Sequence, residues 1–128
     1  MSHYDVIIIG AGPTGLMAAN QLARFGINFL IIDSKEGPTD QSRAIVITAR
    51  SMEIYQQLGI SDTAIKEGRF ILDFVIFVKG KEKATAHVGE FGKGLTDFSY
   101  LLAFEQSKNE KLLVKNLSSF NKQVSWQT

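Results

Sequence analysis

Cysteine is absent from all 128 residues. That excludes disulfides, thiolate nucleophiles and Cys-ligated metals. Histidine occurs only at His3 and His87, too few for a zinc site without help from carboxylates. Proline is scarce, with two residues against eleven glycines, which excludes collagen-like and low-complexity chains. Neither sign of charge dominates: 14 basic residues face 13 acidic ones. No electrostatic footprint for nucleic acid or an acidic membrane is therefore expected. The longest apolar stretches reach about half of the roughly 18 residues a membrane span needs. The opening Met-Ser-His-Tyr-Asp also lacks the basic lead of a secretory signal. The expectation is a soluble, cytoplasmic protein with neither nucleic-acid nor membrane partners.

What is present suits one compact α/β domain. Apolar residues make up 45% of the chain, and a chain of this length buries roughly two-thirds of its unfolded surface. Val6–Ile9 is apolar throughout and reads as a strand buried on both faces. After a glycine-rich turn, Leu16, Ala19, Leu22 and Ala23 share one helical face, and Gly26 suits a left-handed cap. The run over 27–32 stops at Asp33. Strand, helix and strand within about thirty residues form a βαβ unit with parallel strands.

Further on, residues 34–43 read as a loop. A helix is expected over 49–58, N-capped by Thr48 and closed by Gly59, with Met52, Tyr55 and Leu58 on one face. Ser61 is expected to cap a short helix ending near Gly68. Residues 70–78 read as one strand, Lys79-Gly80-Lys81 as a turn, and 84–88 as the hairpin partner. Ser107-Lys108-Asn109-Glu110 reads as a capping box opening a helix with Leu113, Val114 and Leu117 inward. A last strand starts near Val124. The expected division is 1–69, a nucleotide-binding βαβ with following helices; 70–98, a hairpin; and 99–128, a returning helix and strand.

The informative element is Gly10-Ala11-Gly12-Pro13-Thr14-Gly15, a G-x-G-x-x-G run leaving a strand and opening a helix. An acid, Asp33, follows 18 residues after its last glycine. That context lifts the pattern above a chance match. Gly10 permits the tight turn, Gly12 removes the side chain that would block a pyrophosphate, and Gly15 lets helix and strand approach closely. The first N–H groups of the helix have no intrahelical partner and carry the positive end of its dipole. Pyrophosphate oxygens suit that place, and the Thr14 hydroxyl can serve either a phosphate or the helix start. Asp33, with Ser34 beside it, is placed to accept a ribose hydroxyl and to repel a 2′-phosphate, although Lys35 works in the opposite direction. The ligand this turn implies contains ADP, either FAD or NAD.

Four stretches resemble the flavoprotein aromatic hydroxylases, the group of p-hydroxybenzoate and phenol hydroxylases. They are the run from Asp5 to Leu16 and the strand end Ile31-Ile32-Asp33. The third joins Ser42-Arg43-Ala44 to Arg50-Ser51-Met52-Glu53-Ile54 and Leu58-Gly59. The fourth is Gln106 with Glu110 and Leu113 behind it. The resemblance implies a Rossmann-like FAD-binding fold, plus the start of an antiparallel substrate-domain hairpin. It implies FAD as cofactor, NAD(P)H as co-substrate and oxygen transfer to a small aromatic ring. It further implies that Arg43 contacts FAD phosphates or ribose, as its charged planar fork suits, and that Gln106 contacts the cofactor.

The candidate cofactor residues are thus Gly10, Gly12, Pro13, Thr14, Gly15, Asp33, Ser34, Arg43 and Gln106. No residue is assigned as acid, base or nucleophile. Phe70, Phe74 and Phe77 read first as core and second as pocket lining. His87 reads as a surface residue with nothing to orient it, Lys79, Lys81 and Lys83 as a solvated hairpin tip, and Trp126 as core or edge packing. The expected sheet order is last strand, second strand, first strand, which leaves one side of Val6–Ile9 unpaired. With the flavin-ribityl and NAD(P)H motifs of the hydroxylases also absent, the expectation is the N-terminal piece of a longer enzyme, inactive by itself. The competing expectations are an NAD-binding module without oxygen chemistry and a fragment that binds little.

Overall fold

The computed structural model describes residues 3–41 and 44–128. Along the chain run β1 (Val6–Ile9), α1 (Pro13–Arg24), β2 (Phe29–Asp33), β3 (Ala44–Ile47), α2 (Ala49–Gln57) and α3 (Ser61–Glu67). Then come β4 (Arg69–Ile71), β5 (Asp73–Val78), β6 (Lys81–His87), β7 (Leu101–Glu105), α4 (Gln106–Ser119) and β8 (Ser125–Trp126). They gather into two compact units: Met1–Arg43 with Glu105–Thr128, and Ala44–Phe104.

The first unit is the βαβ expected from the apolar periodicity. Its sheet has the order β1-β2-β8, and both pairings are parallel. Val6 to Ile9 align with Phe29 to Ile32, and the ladder runs on into the turn through a 2.8 Å bond from the Gly10 N–H to the Ile32 carbonyl. Gly26, at φ +69°, ends the α1 segment in the left-handed region that favours glycine. Leu16 and Ala19 of α1, Phe29 and Ile31 of β2, and Leu113 and Leu117 of α4 are all buried. A polar bridge crosses this core. The buried Asn20 amide donates to the Leu16 carbonyl at 2.8 Å and the Leu113 carbonyl at 3.0 Å, and its oxygen accepts from Asn116 at 2.8 Å.

β1 departs from its expected burial. Val6 and Ile8 are half-buried, whereas Ile7 is 59% and Ile9 84% exposed. The strand lies at the edge of its sheet, and among the described residues of this unit nothing covers the Ile7/Ile9 face.

The second unit holds a sheet of order β3-β7-β4 and the hairpin β5-β6. Its core is built on Ile47, Met52, Tyr55, Ala64, Leu102 and Phe104. Several expectations change here. The strand β3 was not anticipated. The 70–78 run is broken at Leu72, so that β4 pairs antiparallel with β7 and β5 with β6. Thr48 occupies the N-cap of α2 without a side-chain cap bond, and Ile60, not Ser61, precedes α3. Phe70, Phe74 and Phe77 are exposed rather than core: Phe74 and Phe77 lie on the hairpin, whose residues are exposed along both strands, and Phe70, on β4, meets Tyr100 edge-on at 4.4 Å. His87 is on the surface as expected, but it does have an orienting partner, the Asp73 carboxylate across the hairpin.

Candidate functional site

The turn between β1 and α1 is shaped by its three glycines in three different ways. Gly10 adopts φ +103°, a conformation L side chains rarely take. Gly12 is the N-cap of α1 in extended backbone, followed by Pro13 at the first helical position, where a missing N–H costs nothing. A Cβ at Gly12 would meet nothing within 4 Å, so open space lies in front of this backbone. A Cβ at Gly15 would stand 1.9 Å from the Gly10 carbonyl oxygen and 3.3 Å from the Ile8 side chain. The helix start therefore presses on the strand end, as only glycine allows. Thr14 is exposed at the rim. Among the described residues no side chain caps α1, so its first N–H groups face that open space. This is a cradle for an anion.

Asp33, at the end of β2, borders the cradle. Its Oδ2 accepts the Ala11 N–H at 2.6 Å and its Oδ1 the Lys35 N–H at 2.8 Å. Burial by itself would raise the pKa of this carboxyl. The N–H bonds from Lys35 and Ala11, with the Lys35 ammonium, outweigh burial and hold it below its ordinary value. Asp33 is thus an ionised acceptor next to the anion cradle, with lone pairs left for further donors. Ser34 follows it, exposed at the head of the bend.

Gln106 is joined to this corner through a residue that sequence reasoning misread. Glu110 is not the partner of a capping box: Glu105 takes the N-cap position of α4 without a side-chain cap bond, and Ser107 is already inside the helix. Glu110 is fully buried, and its Oε2 accepts the Thr39 N–H at 2.7 Å while its Oε1 accepts the Gln106 amide at 2.8 Å. The Lys35 ammonium lies 3.6 Å from Glu110 Oε2 and 3.9 Å from Asp33 Oδ2, and 5.9 Å from the centre of the Trp126 ring. Gln106, Glu110, Lys35 and Asp33 therefore form one continuous polar chain. A signal for Glu110 existed in the sequence: it shares a helical face with Leu113 and Leu117, and a carboxylate on an apolar stripe must find partners. Of the nine candidate residues, the structure brings Gly10, Gly12, Pro13, Thr14, Gly15, Asp33 and Ser34 to one corner and links Gln106 to it. Arg43 lies outside the described residues.

Comparison with known proteins shows the family of the chain. The family described as FAD binding domain matches residues 3–128. The chain belongs to that family. Its cofactor is accordingly FAD, and its fold is the Rossmann-like FAD-binding fold. Rifampicin monooxygenase of Rhodococcus hoagii is 36% identical over 112 residues, which cover 88% of this chain and 22% of that protein. The 3-hydroxybenzoate 4-monooxygenase of Comamonas testosteroni is 34% identical over 108 residues, 79% of this chain and 17% of its own length. Among solved structures, p-nitrophenol 4-monooxygenase PnpA from Pseudomonas putida DLL-E4 superposes with a TM-score of 0.85 at 23% identity. That match covers 95% of this chain and 31% of PnpA, and at such identity it is a likeness of fold. The chain thus spans a minor part of the length of the relatives it matches. No helix among the described residues is long and apolar enough to cross a membrane.

Proposed function

We propose that this chain supplies the ADP-binding half of an FAD site in a flavin-dependent monooxygenase acting on an aromatic ring. The observation that carries this reading is the open space before Gly12, at the uncapped start of α1 and next to an ionised Asp33. In this reading the pyrophosphate lies against the backbone of Gly12, Pro13, Thr14 and Gly15, with Gly10 setting the turn. Asp33 accepts a ribose hydroxyl and Ser34 borders the ribose, and the resemblance assigns Arg43 to the FAD phosphates or ribose. Gln106 meets the cofactor from the start of α4. These residues fit FAD because they offer N–H donors where it is anionic and a carboxylate where it is a diol. When bound, FAD supplies the redox and oxygen chemistry, with NAD(P)H as reductant. The contribution of this chain is binding and orientation.

The aromatic substrate is inferred from a relative whose name specifies 3-hydroxybenzoate. A cytoplasmic setting is part of the proposal, consistent with the lack of cysteine. A titration of FAD followed by flavin fluorescence tests the cofactor placement. ADP should compete with FAD, and FMN, which lacks the adenosine, should not. FMN competing as well as ADP, or no FAD binding at all, would overturn the reading.

A further inference from the structure

The sequence leaves the role of Lys35 open, because a cation beside Asp33 is the kind of group that accepts a ribose 2′-phosphate. The structure shows where that cation goes. Its ammonium lies between two carboxylates, 3.9 Å from Asp33 and 3.6 Å from Glu110. These separations exceed hydrogen-bond length, so the coupling is electrostatic. Lys35 is 40% exposed at its side chain, Asp33 10% and Glu110 1%. The backbone holds it in place as well: its N–H donates to Asp33 and its carbonyl accepts the Gln127 N–H at 3.0 Å. Glu110 is in turn fixed by Thr39 and Gln106.

We propose that Glu110 is a specificity-determining residue of the adenosine site: by engaging Lys35, it keeps this corner hostile to a 2′-phosphorylated ribose. The inference rests on the placement of adenosine at Asp33 proposed above. Two carboxylates and one ammonium leave the cluster with one net negative charge. A 2′-phosphate would add like charge beside it in a partly desolvated corner. Without the Glu110 charge the cluster is neutral, and Lys35 is released toward a phosphate. Without Lys35 the cluster carries two negative charges, and discrimination sharpens. Removing both restores the original net charge.

The test uses two probes that differ only in the phosphate, ADP-ribose and 2′-phospho-ADP-ribose, each competing with FAD for the chain. The wild type should favour the unphosphorylated probe by about tenfold or more. Glu110→Gln should cut that preference about five- to tenfold, Lys35→Met should increase it, and the double variant should return it close to wild type. A purely structural role for Glu110 would weaken both probes alike, and an unchanged ratio in Glu110→Gln would overturn the inference. Lys35 is partly exposed, so Lys35→Met remains decisive if Glu110→Gln does not fold. An unaltered ratio there would overturn the inference equally. A wild type that binds FAD and both probes equally well would refute this inference alone. A wild type that binds no adenosine probe would refute the site placement beneath it.

Discussion

Gly15 and Asp33 carry the most specific expectations at the scale of single residues. A methyl group at Gly15 has no room, with the Gly10 carbonyl 1.9 Å from its Cβ position. Gly15→Ala should therefore destabilise the fold by about 1–3 kcal/mol, seen as a lower midpoint in urea; an unchanged midpoint would mean that the strand and helix do not approach so closely. Asp33 titrates below its ordinary range in the folded protein. Its stabilising contribution is therefore fully present above the unfolded-state pKa of about 4 and is lost as pH falls through the lower folded value. Asp33→Asn should flatten this acid limb of stability below about pH 4 and weaken adenosine binding by about 1–3 kcal/mol. Denaturation midpoints between pH 2 and 6 would check the first effect, and ADP titration the second. The glycines and Asp33 were legible in the sequence because each answers a local demand of the turn. Glu110 was legible only as a carboxylate on an apolar stripe, since its partners Thr39 and Lys35 lie some seventy residues away in the chain.

Among the elements, α1 and α4 are joined by more than apolar packing. Leu16 and Ala19 meet the face of Leu113 and Leu117, which periodicity foretells, but Asn20 sits among them fully buried. Its three hydrogen bonds reach Leu16, Leu113 and Asn116. Asn20→Ala should cost about 1–3 kcal/mol, because the half-buried Asn116 amide and the Leu113 carbonyl each lose a partner. An effect below about 0.5 kcal/mol in urea unfolding would show that water replaces those bonds. Strands were read less well than helices. β3 escaped notice because four residues beside a polar loop carry no usable period. The 70–78 run, although interrupted by Asp73, hid a break at Leu72, since one charged residue in an apolar stretch does not reveal where its pairing partner changes. The glycine C-caps Gly26 and Gly59 hold, but the side-chain N-caps do not: Thr48 stands at the N-cap of α2 and Ser107 inside α4, and neither makes the cap bond.

Apolar surface left uncovered distinguishes the whole molecule. In the first unit Ile7 and Ile9 face outward at the sheet edge; in the second, Phe74, Phe77, Phe91 and Leu95 are exposed. Patches of this kind, and open edge strands, favour association. The chain should bind an apolar dye and self-associate as its concentration rises. Ile9→Lys should reduce both while changing stability by no more than about 0.5 kcal/mol; dye binding that persists unaltered would move the responsible surface away from β1. The βαβ unit and its parallel strands followed from the apolar runs and their spacing, whereas the sheet order and the unpaired side of β1 followed from the resemblance to the hydroxylases. Which faces stay bare did not, because composition records how much surface is apolar and says nothing of what lies over it. The central claim is that a pyrophosphate occupies the space before Gly12. Gly12→Val tests it most directly, since a Cβ at this position meets nothing within 4 Å and the branched side chain would fill that space. The account predicts a cooperative thermal transition close to wild type together with loss of FAD binding in a fluorescence titration. FAD affinity equal to wild type in the folded variant would contradict it.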